Sequence, residues 1–220
     1  MSDLLGEQKR YYAERAREYD DWWYRRRRYE LEPDALARWQ ADAAETGAAL
    51  EKFAAGGTAL ELAAGTGIWT RRLVRLADRV VAVDANAETL ALNTPDAELV
   101  RADVFAWEPR EQFDLVFFSF WLSHVPEERF AEFWSLVRAA LAPGGRVFLV
   151  DSSAGDTAHT GTDQADGEET RSLADGRTFR IVKRRWTPHE LEELVRHLGF
   201  ELHLRDTANG HFVFGGGVVA

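Results

Sequence analysis

The chain of 220 residues has no cysteine, one methionine and six prolines. Without a thiol, disulfide bonding and thiolate nucleophiles are both excluded, whatever the compartment. No apolar run approaches the ~18 residues a bilayer-crossing helix needs, so no membrane span is expected. Met1-Ser2-Asp3-Leu4-Leu5-Gly6-Glu7 lacks the basic-then-apolar layout of an export signal, and a cytoplasmic place is expected. Positive charge is in deficit: 27 Lys and Arg against 37 Asp and Glu leave a net charge of -10, which argues against a nucleic-acid partner. Internal repeats, low-complexity linkers and a G-x-x-x-x-G-K-[ST] phosphate loop are missing too. What remains is an ordinary soluble composition, 45% hydrophobic and 29% charged, in a chain long enough for one domain with an ample core.

The most informative stretch is Ala59-Leu60-Glu61-Leu62-Ala63-Ala64-Gly65-Thr66-Gly67-Ile68-Trp69-Thr70. An apolar run ends in small residues, passes Gly-Thr-Gly and resumes with helical spacing at Leu73, Val74, Leu76 and Ala77. That is a strand, a tight turn and a helix, with backbone laid bare at Gly65 and Gly67 for a ligand at the carboxyl end of the strand. Arg79-Val80-Val81-Ala82-Val83-Asp84 follows as a second strand ending in an acid, placed to accept both hydroxyls of a ribose. A dinucleotide site would want a third glycine where Thr70 stands. Glu61 precedes the turn and no Lys or Arg lies in it, which suits a cationic, phosphate-free ligand; a plain strand-helix turn is the alternative.

Glu61 to Gly67 resembles the first motif of the class I S-adenosylmethionine-dependent methyltransferases, with Ala63 in place of the usual first glycine. Further resemblances follow in order: Asp84 at the ribose-binding position, Leu99-Val100-Arg101-Ala102-Asp103-Val104 as the adenine-binding motif, Gln112 to Ser119 as the fourth strand, and Leu141-Ala142-Pro143-Gly144-Gly145-Arg146-Val147 as the turn into the fifth. The likeness spans residues 58 to 151. It implies S-adenosyl-L-methionine as cofactor, held by Tyr12, Tyr19, Ala63, Gly65, Asp84, Ala85, Asp103, Val104 and Phe118.

The pattern along the chain predicts an α/β fold with a Rossmann-like, doubly wound, mostly parallel seven-stranded sheet and a C-terminal antiparallel strand. Helices are expected at 3–29, 34–53, 68–77, 86–93 and 127–141, and strands at 58–63, 79–83, 97–101, 113–119 and 146–151. Residues 152–169 read as an irregular, mobile segment, and Arg171 to Lys183 as a hairpin around Asp175-Gly176. Thr187-Pro188-His189-Glu190 starts a last helix to Leu198 by a capping box. Strands at 200–204 and 211–215 close the chain. The whole is expected to be one methyltransferase domain over 1–220, with an N-terminal helical cover (1–54) and a substrate-capping insertion (152–186).

Outside the core motifs, the N-terminal helix carries Tyr11, Tyr12, Tyr19, Trp22 and Trp23. Aromatic faces suit a sulfonium, a desolvated cation gaining on the order of 1–2 kcal/mol there, or else they pack the helix onto the sheet. Tyr12 and Tyr19 are the pocket candidates. In the run Arg25 to Arg28 four successive positions would point in four directions, so at most two can face a pocket. The run is a solvated basic turn, or one or two guanidiniums fork onto a carboxylate or phosphonate, or, against the acidic remainder, it is a nucleic-acid arm. Phe118-Ser119-Phe120-Trp121-Leu122-Ser123-His124-Val125-Pro126 leaves the fourth strand beside the cofactor; Trp121 would wall the site. His124 would act as general base, hydrogen-bond donor to the nucleophile, or simple helix cap. The other histidines, at 159, 189, 197, 203 and 211, make no metal-ligating spacing, and no metal is expected.

Nearly end to end the chain also resembles the phosphonate O-methyltransferase type of dehydrophos biosynthesis, through Tyr11-Tyr12, Glu18-Tyr19-Asp20, Trp69-Thr70-Arg71, Phe117 to Pro126 and Asp175 to Lys183. That resemblance implies methyl transfer to an oxygen of a small anionic acceptor, with His124, Arg171 and Lys183 near its charge. The sequence departs at Trp22 to Tyr29, where the arginine run stands. N- or C-methylation of a neutral small molecule and non-catalytic cofactor binding stay as alternatives; the oligomeric state is open.

Overall fold

A computed structural model describes residues 2–54, 56–94, 96–156, 162–163 and 167–220. His159 and part of the expected irregular segment, residues 157–161 and 164–166, lie outside the described residues. The order of elements is α1 (Ser2–Trp23), α2 (Pro33–Phe53), β1 (Thr58–Leu62), α3 (Thr70–Leu73), β2 (Arg79–Asp84), α4 (Ala87–Leu90), β3 (Glu98–Arg101), β4 (Phe113–Ser119), α5 (Phe130–Ala140), β5 (Leu141–Ser152), β6 (Thr162–Asp163), β7 (Glu168–Ser172), β8 (Thr178–Val182), α6 (Pro188–Arg196), β9 (Phe200–Asp206) and β10 (Phe212–Val219).

Seven strands form one sheet in the order β3-β2-β1-β4-β5-β10-β9, and β6-β7-β8 form a small second one. The first five are parallel, while β10 runs antiparallel to both β5 and β9. This is the expected Rossmann-like architecture. The strand order reverses beside β1, so the loops after β1 and β4 diverge and leave a crevice at the carboxyl ends.

Alternation along the strands sorts the core into two layers. Leu60, Leu62, Val81, Val83, Val116, Phe118, Val147 and Leu149 face α5 and α6, meeting Phe133, Trp134, Val137, Leu191 and Val195. Ala59, Val80, Ala82, Leu115, Phe117, Phe148 and Val150 pack on the other side with Trp39, Leu50, Trp69 and Leu73. Thr187 caps α6 by accepting from the Glu190 N–H at 3.2 Å.

Several boundaries differ from the sequence expectation for physical reasons. The helix expected through Tyr29 stops at Trp23, because Arg25 and Arg27 take left-handed backbone (φ 51° and 53°) through which an α-helix does not continue; Arg27–Tyr29 form only a 3-10 turn. The helices expected at 68–77 and 86–93 are four-residue α-turns. After each the amide bonds tighten to the third residue back, as in Arg75 to Arg72 and Asn93 to Leu90. β5 starts at Leu141 rather than Arg146: Leu141 pairs with Phe113, and the register shifts before Leu115 meets Arg146. Glu168 and Glu169, expected in the irregular segment, are strand residues paired with Val182 and Ile181.

Helix α1 lies across the crevice as a roof, tied down along its length. Gln8 donates to the His124 carbonyl (3.2 Å) and accepts from the Val182 N–H (2.9 Å). Lys9 reaches Asp103 at 2.5 Å, and the Thr66 hydroxyl donates to Asp20 at 2.5 Å. Ion pairs add to these: Glu7 with Arg180 and Glu14 with Arg177 towards solvent, and a half-buried Glu18 with Arg28.

Candidate active site

Beneath the roof lies a cavity of about 850 Å³ including its open mouth. Its floor is the turn after β1. Gly65 (φ 56°) opens onto the cavity, and a Cβ there would meet nothing within 4 Å. Gly67 (φ 83°) has no such room: a Cβ would sit 2.1 Å from Asn93 Oδ1. Ala63 keeps the left-handed backbone of the glycine it replaces, φ 55°, at a cost of about 1–2 kcal/mol.

Asp84, at the tip of β2, holds this turn. Its carboxylate accepts from the Gly65 N–H at 2.9 Å, the Asn86 N–H at 2.8 Å and the Thr89 hydroxyl at 3.0 Å, and still lines the cavity. Burial raises its pKa, while these donors pull it back down. Ala85 adjoins it on the wall, and Asp103 and Val104 stand opposite with Phe105 and Trp121. Among the described residues the buried Trp121 indole N–H has no partner, a donor available to a ligand.

Of the nine positions expected to hold the cofactor, the structure brings eight to this cavity: Tyr12, Tyr19, Ala63, Gly65, Asp84, Ala85, Asp103 and Val104. Phe118 is the exception. Its ring is 1% exposed and packs edge-on against Phe133 at 5.0 Å, on the α5 side of the sheet. Strand alternation turns it away, and the wall there is built by Ser119 and Phe120, just beyond the strand. Glu61 also differs from its expected part. It faces the α3 side, accepts from the Thr70 hydroxyl at 2.5 Å and lines no described cavity. Burial pushes its pKa up to about 8, so it gives the turn a neutral brace and no negative field.

A second cavity, of about 570 Å³, shares Tyr12, Tyr19, Phe120 and His124 with the first. Beyond that common wall it is cationic, lined by Arg15, Arg25, Arg171, Lys183 and Arg185 with Asp156 as its acid. The three expected acceptor residues, His124, Arg171 and Lys183, thus meet here. Lys183 Nζ donates to Ser123 Oγ (2.9 Å) and Ser152 Oγ (2.8 Å) and lies 3.9 Å from Asp151. Burial drops its pKa to about 8, helped by Arg171 and Arg185 and opposed by Asp151.

His124 sits in the shared wall. Its Nδ1–H donates to the Val182 carbonyl (2.6 Å), which leaves Nε2 as the acceptor of the Tyr12 O–H at 2.7 Å. Burial, then Lys183, drives the His124 pKa well below its ordinary value; burial drives that of Tyr12 well above. Both groups are neutral at pH 7, and the imidazole lone pair is already engaged.

The arginine run divides. Arg25 enters the cavity, Arg26 stacks on Tyr24, exposed Arg27 pairs with Asp21, and Arg28 bonds Glu18 and the Ser172 carbonyl. The sequence reading missed Arg15, Arg185 and Asp151. Arg15 did leave a signal: Tyr11, Arg15, Tyr19 and Trp22 share one helical face, so an arginine stands on an aromatic stripe. Arg185 has no local signal, because its place depends on the hairpin's path. Among the described residues no cluster of His, Cys, Asp or Glu could hold a metal ion, and no helix is long and apolar enough to cross a membrane.

Comparison with known proteins agrees with this geometry. A family described as "Methyltransferase domain" matches residues 22–204. The DhpI–SAH complex is 38% identical, covering 100% of this chain and 98% of that one, with a TM-score of 0.77. The DhpI–SAM–HEP complex is also 38% identical, with 97% and 96% coverage and a TM-score of 0.78. The glycopeptide N-methyltransferase MtfA with (S)-adenosyl-L-methionine is 22% identical over 79% of this chain and 94% of that one, with a TM-score of 0.60, a likeness of fold alone. A search of curated proteins gives no match. With a matched family, a relative alike over its full length and a crevice shaped for an adenosyl group, the chain belongs to the class I S-adenosylmethionine-dependent methyltransferases and acts on a small molecule, with DhpI a near relative.

Proposed function

We propose that the enzyme methylates a phosphonate oxygen of a small anionic acceptor, with the first cavity holding the cofactor and the second the acceptor. One observation carries this reading: a cationic cavity meets the cofactor cavity across a shared wall of Tyr12, Tyr19, Phe120 and His124. The relative DhpI, of the phosphonate O-methyltransferase type the sequence resembles, forms a complex with SAM and HEP. In this reading α1 roofs both cavities and the hairpin from Glu168 onward brings Arg171, Lys183 and Arg185 over the acceptor.

When bound, S-adenosyl-L-methionine supplies a methyl group on a sulfonium; a phosphonate oxygen lone pair forms the new O–C bond as the C–S pair departs to sulfur. A phosphonate is ionised at pH 7 and needs no base. The protein must hold the oxygen in line at about 3 Å and strip it of water, since opposite charges vanish as the bond forms. Cations that gripped the anion too tightly would favour the ground state, so the engagement of Lys183 by two serines and an aspartate tempers its pull. Tyr12 and His124, bonded to each other and neutral, wall the junction of the two cavities and position the acceptor by shape, while hydrogen bonds to the anion come from the cations.

The test is methyl transfer to simple alkylphosphonates, carboxylates, phenols and amines, read as adenosylhomocysteine release. Phosphonates should be turned over best. Turnover confined to amines or phenols would refute the reading.

A further inference from the structure

The cations of the acceptor cavity form two unlike groups. On the hairpin side Lys183, Arg171 and Arg185 stand against two buried carboxylates. Glu169 pairs with Arg171 at 3.0 Å and with Arg185 at 3.5 Å, while Asp151 lies 3.9 Å from Lys183.

On the helix side Arg15 and Arg25 are 7% and 6% exposed, and among the described residues neither has a carboxylate within 4.0 Å. The Nε of each is buried with no hydrogen-bond partner. Aromatic rings surround them instead. The Arg15 guanidinium carbon lies 5.3 Å from the Tyr19 ring, and that of Arg25 lies 3.3 Å from the Trp39 ring. Asp156 acts on Arg25 only from a distance, and Arg15 repels it.

Ring faces orient a cation without cancelling its charge. Two such charges, buried side by side, are costly unless something neutralises them. Arg25 is also set by left-handed backbone, a strain that persists at ligand clamps. Both side chains face the cavity. Opposite-sign partners are in place on the hairpin side and missing on the helix side.

We propose that Arg15 and Arg25 form a second anion subsite, so that the acceptor is a bianion carrying a carboxylate besides the phosphonate that is methylated. This deepens the reading above and rests on it for which group receives the methyl. The carboxylate fits the flat fork of a guanidinium, and the aromatic sleeve keeps water from competing with it.

The probes are 3-phosphonopropionate and its neutral isostere 3-phosphonopropionamide, compared in kcat/KM with the full-length enzyme. The same pair is titrated calorimetrically into the enzyme–adenosylhomocysteine complex. At least a tenfold preference for the carboxylate is expected in both measurements. Arg25→Gln should shrink that preference below about threefold, and Arg25→Lys should retain part of it. A guanidinium that merely braces the fold would lower both probes equally and leave their ratio untouched. Equal kcat/KM for the two probes in the wild-type enzyme overturns the subsite and leaves phosphonate methylation standing. A tenfold calorimetric preference with neither probe methylated does the reverse, and no binding of either removes both.

Discussion

At the scale of single residues, burial moves the titration of Glu61, Lys183 and His124 away from their ordinary ranges. Glu61 has its pKa raised from 4.5 to about 8 by burial. Between those values the folded protein holds a proton that the unfolded chain gives up, so stability falls as pH rises through this window. Melting curves of Glu61→Gln should lose that slope, and at pH 9 the variant should be more stable than wild type by at least about 1 kcal/mol, given about 1.4 kcal/mol per pKa unit. Lys183 works the other way. Its pKa falls from 10.5 to about 8, so the unfolded chain holds more protons between those values and this group makes the fold relatively more stable as pH rises. For catalysis the same shift means that charge disappears above about pH 8. The kcat/KM of an anionic acceptor should fall there, whereas Lys183→Met, slower at every pH, should show no such fall. His124 gives a third test. With Nε2 accepting from Tyr12 and the ring neutral, His124→Ala should cost under tenfold in kcat with a phosphonate. A loss above about a hundredfold would mark a general base.

At the scale of elements, the first strand, its Gly-Thr-Gly turn and the acid ending the second strand were all legible in sequence, because short-range backbone demands leave their mark in residue type. The Ala63 substitution was legible as a departure, and the structure shows its consequence in a left-handed backbone that still wants glycine. Ala63→Gly should therefore hold or raise the melting temperature, by up to about 1 kcal/mol of stability, since the strain relieved exceeds the chain entropy a glycine adds. Phe118 was not legible in the same way. A resemblance gives a position, but the pleat decides which face it serves, and here that face is the α5 core. Arg15 and Arg185 escaped for a different reason: a cavity assembled from α1, the hairpin and the loop after β4 is a long-range property. Nothing in the run Arg25 to Arg28 announces that only its first member turns inward, because that choice follows from two left-handed residues and from Trp39, a ring from the next helix.

Over the whole molecule, the closing strands show how tightly the sheet is drawn. In β10 a Cβ on Gly217 would lie 1.8 Å from the Glu201 carbonyl and one on Gly216 2.3 Å from that of Val147. Gly217→Ala must push β9 aside, and a loss of about 1–3 kcal/mol is expected from chemical denaturation, the usual range for overpacking. The roof over the crevice is held differently. Lys9–Asp103, Glu7–Arg180 and Glu14–Arg177 are solvent-facing pairs that dissolved ions weaken. The enzyme is thus built as a rigid bed under a cover whose outer fastenings, unlike the buried Gln8, are screenable charge. Added sodium chloride should speed departure of the spent cofactor and slow the chemical step, so rapid-quench single turnovers and steady-state rates should respond to ionic strength in opposite directions.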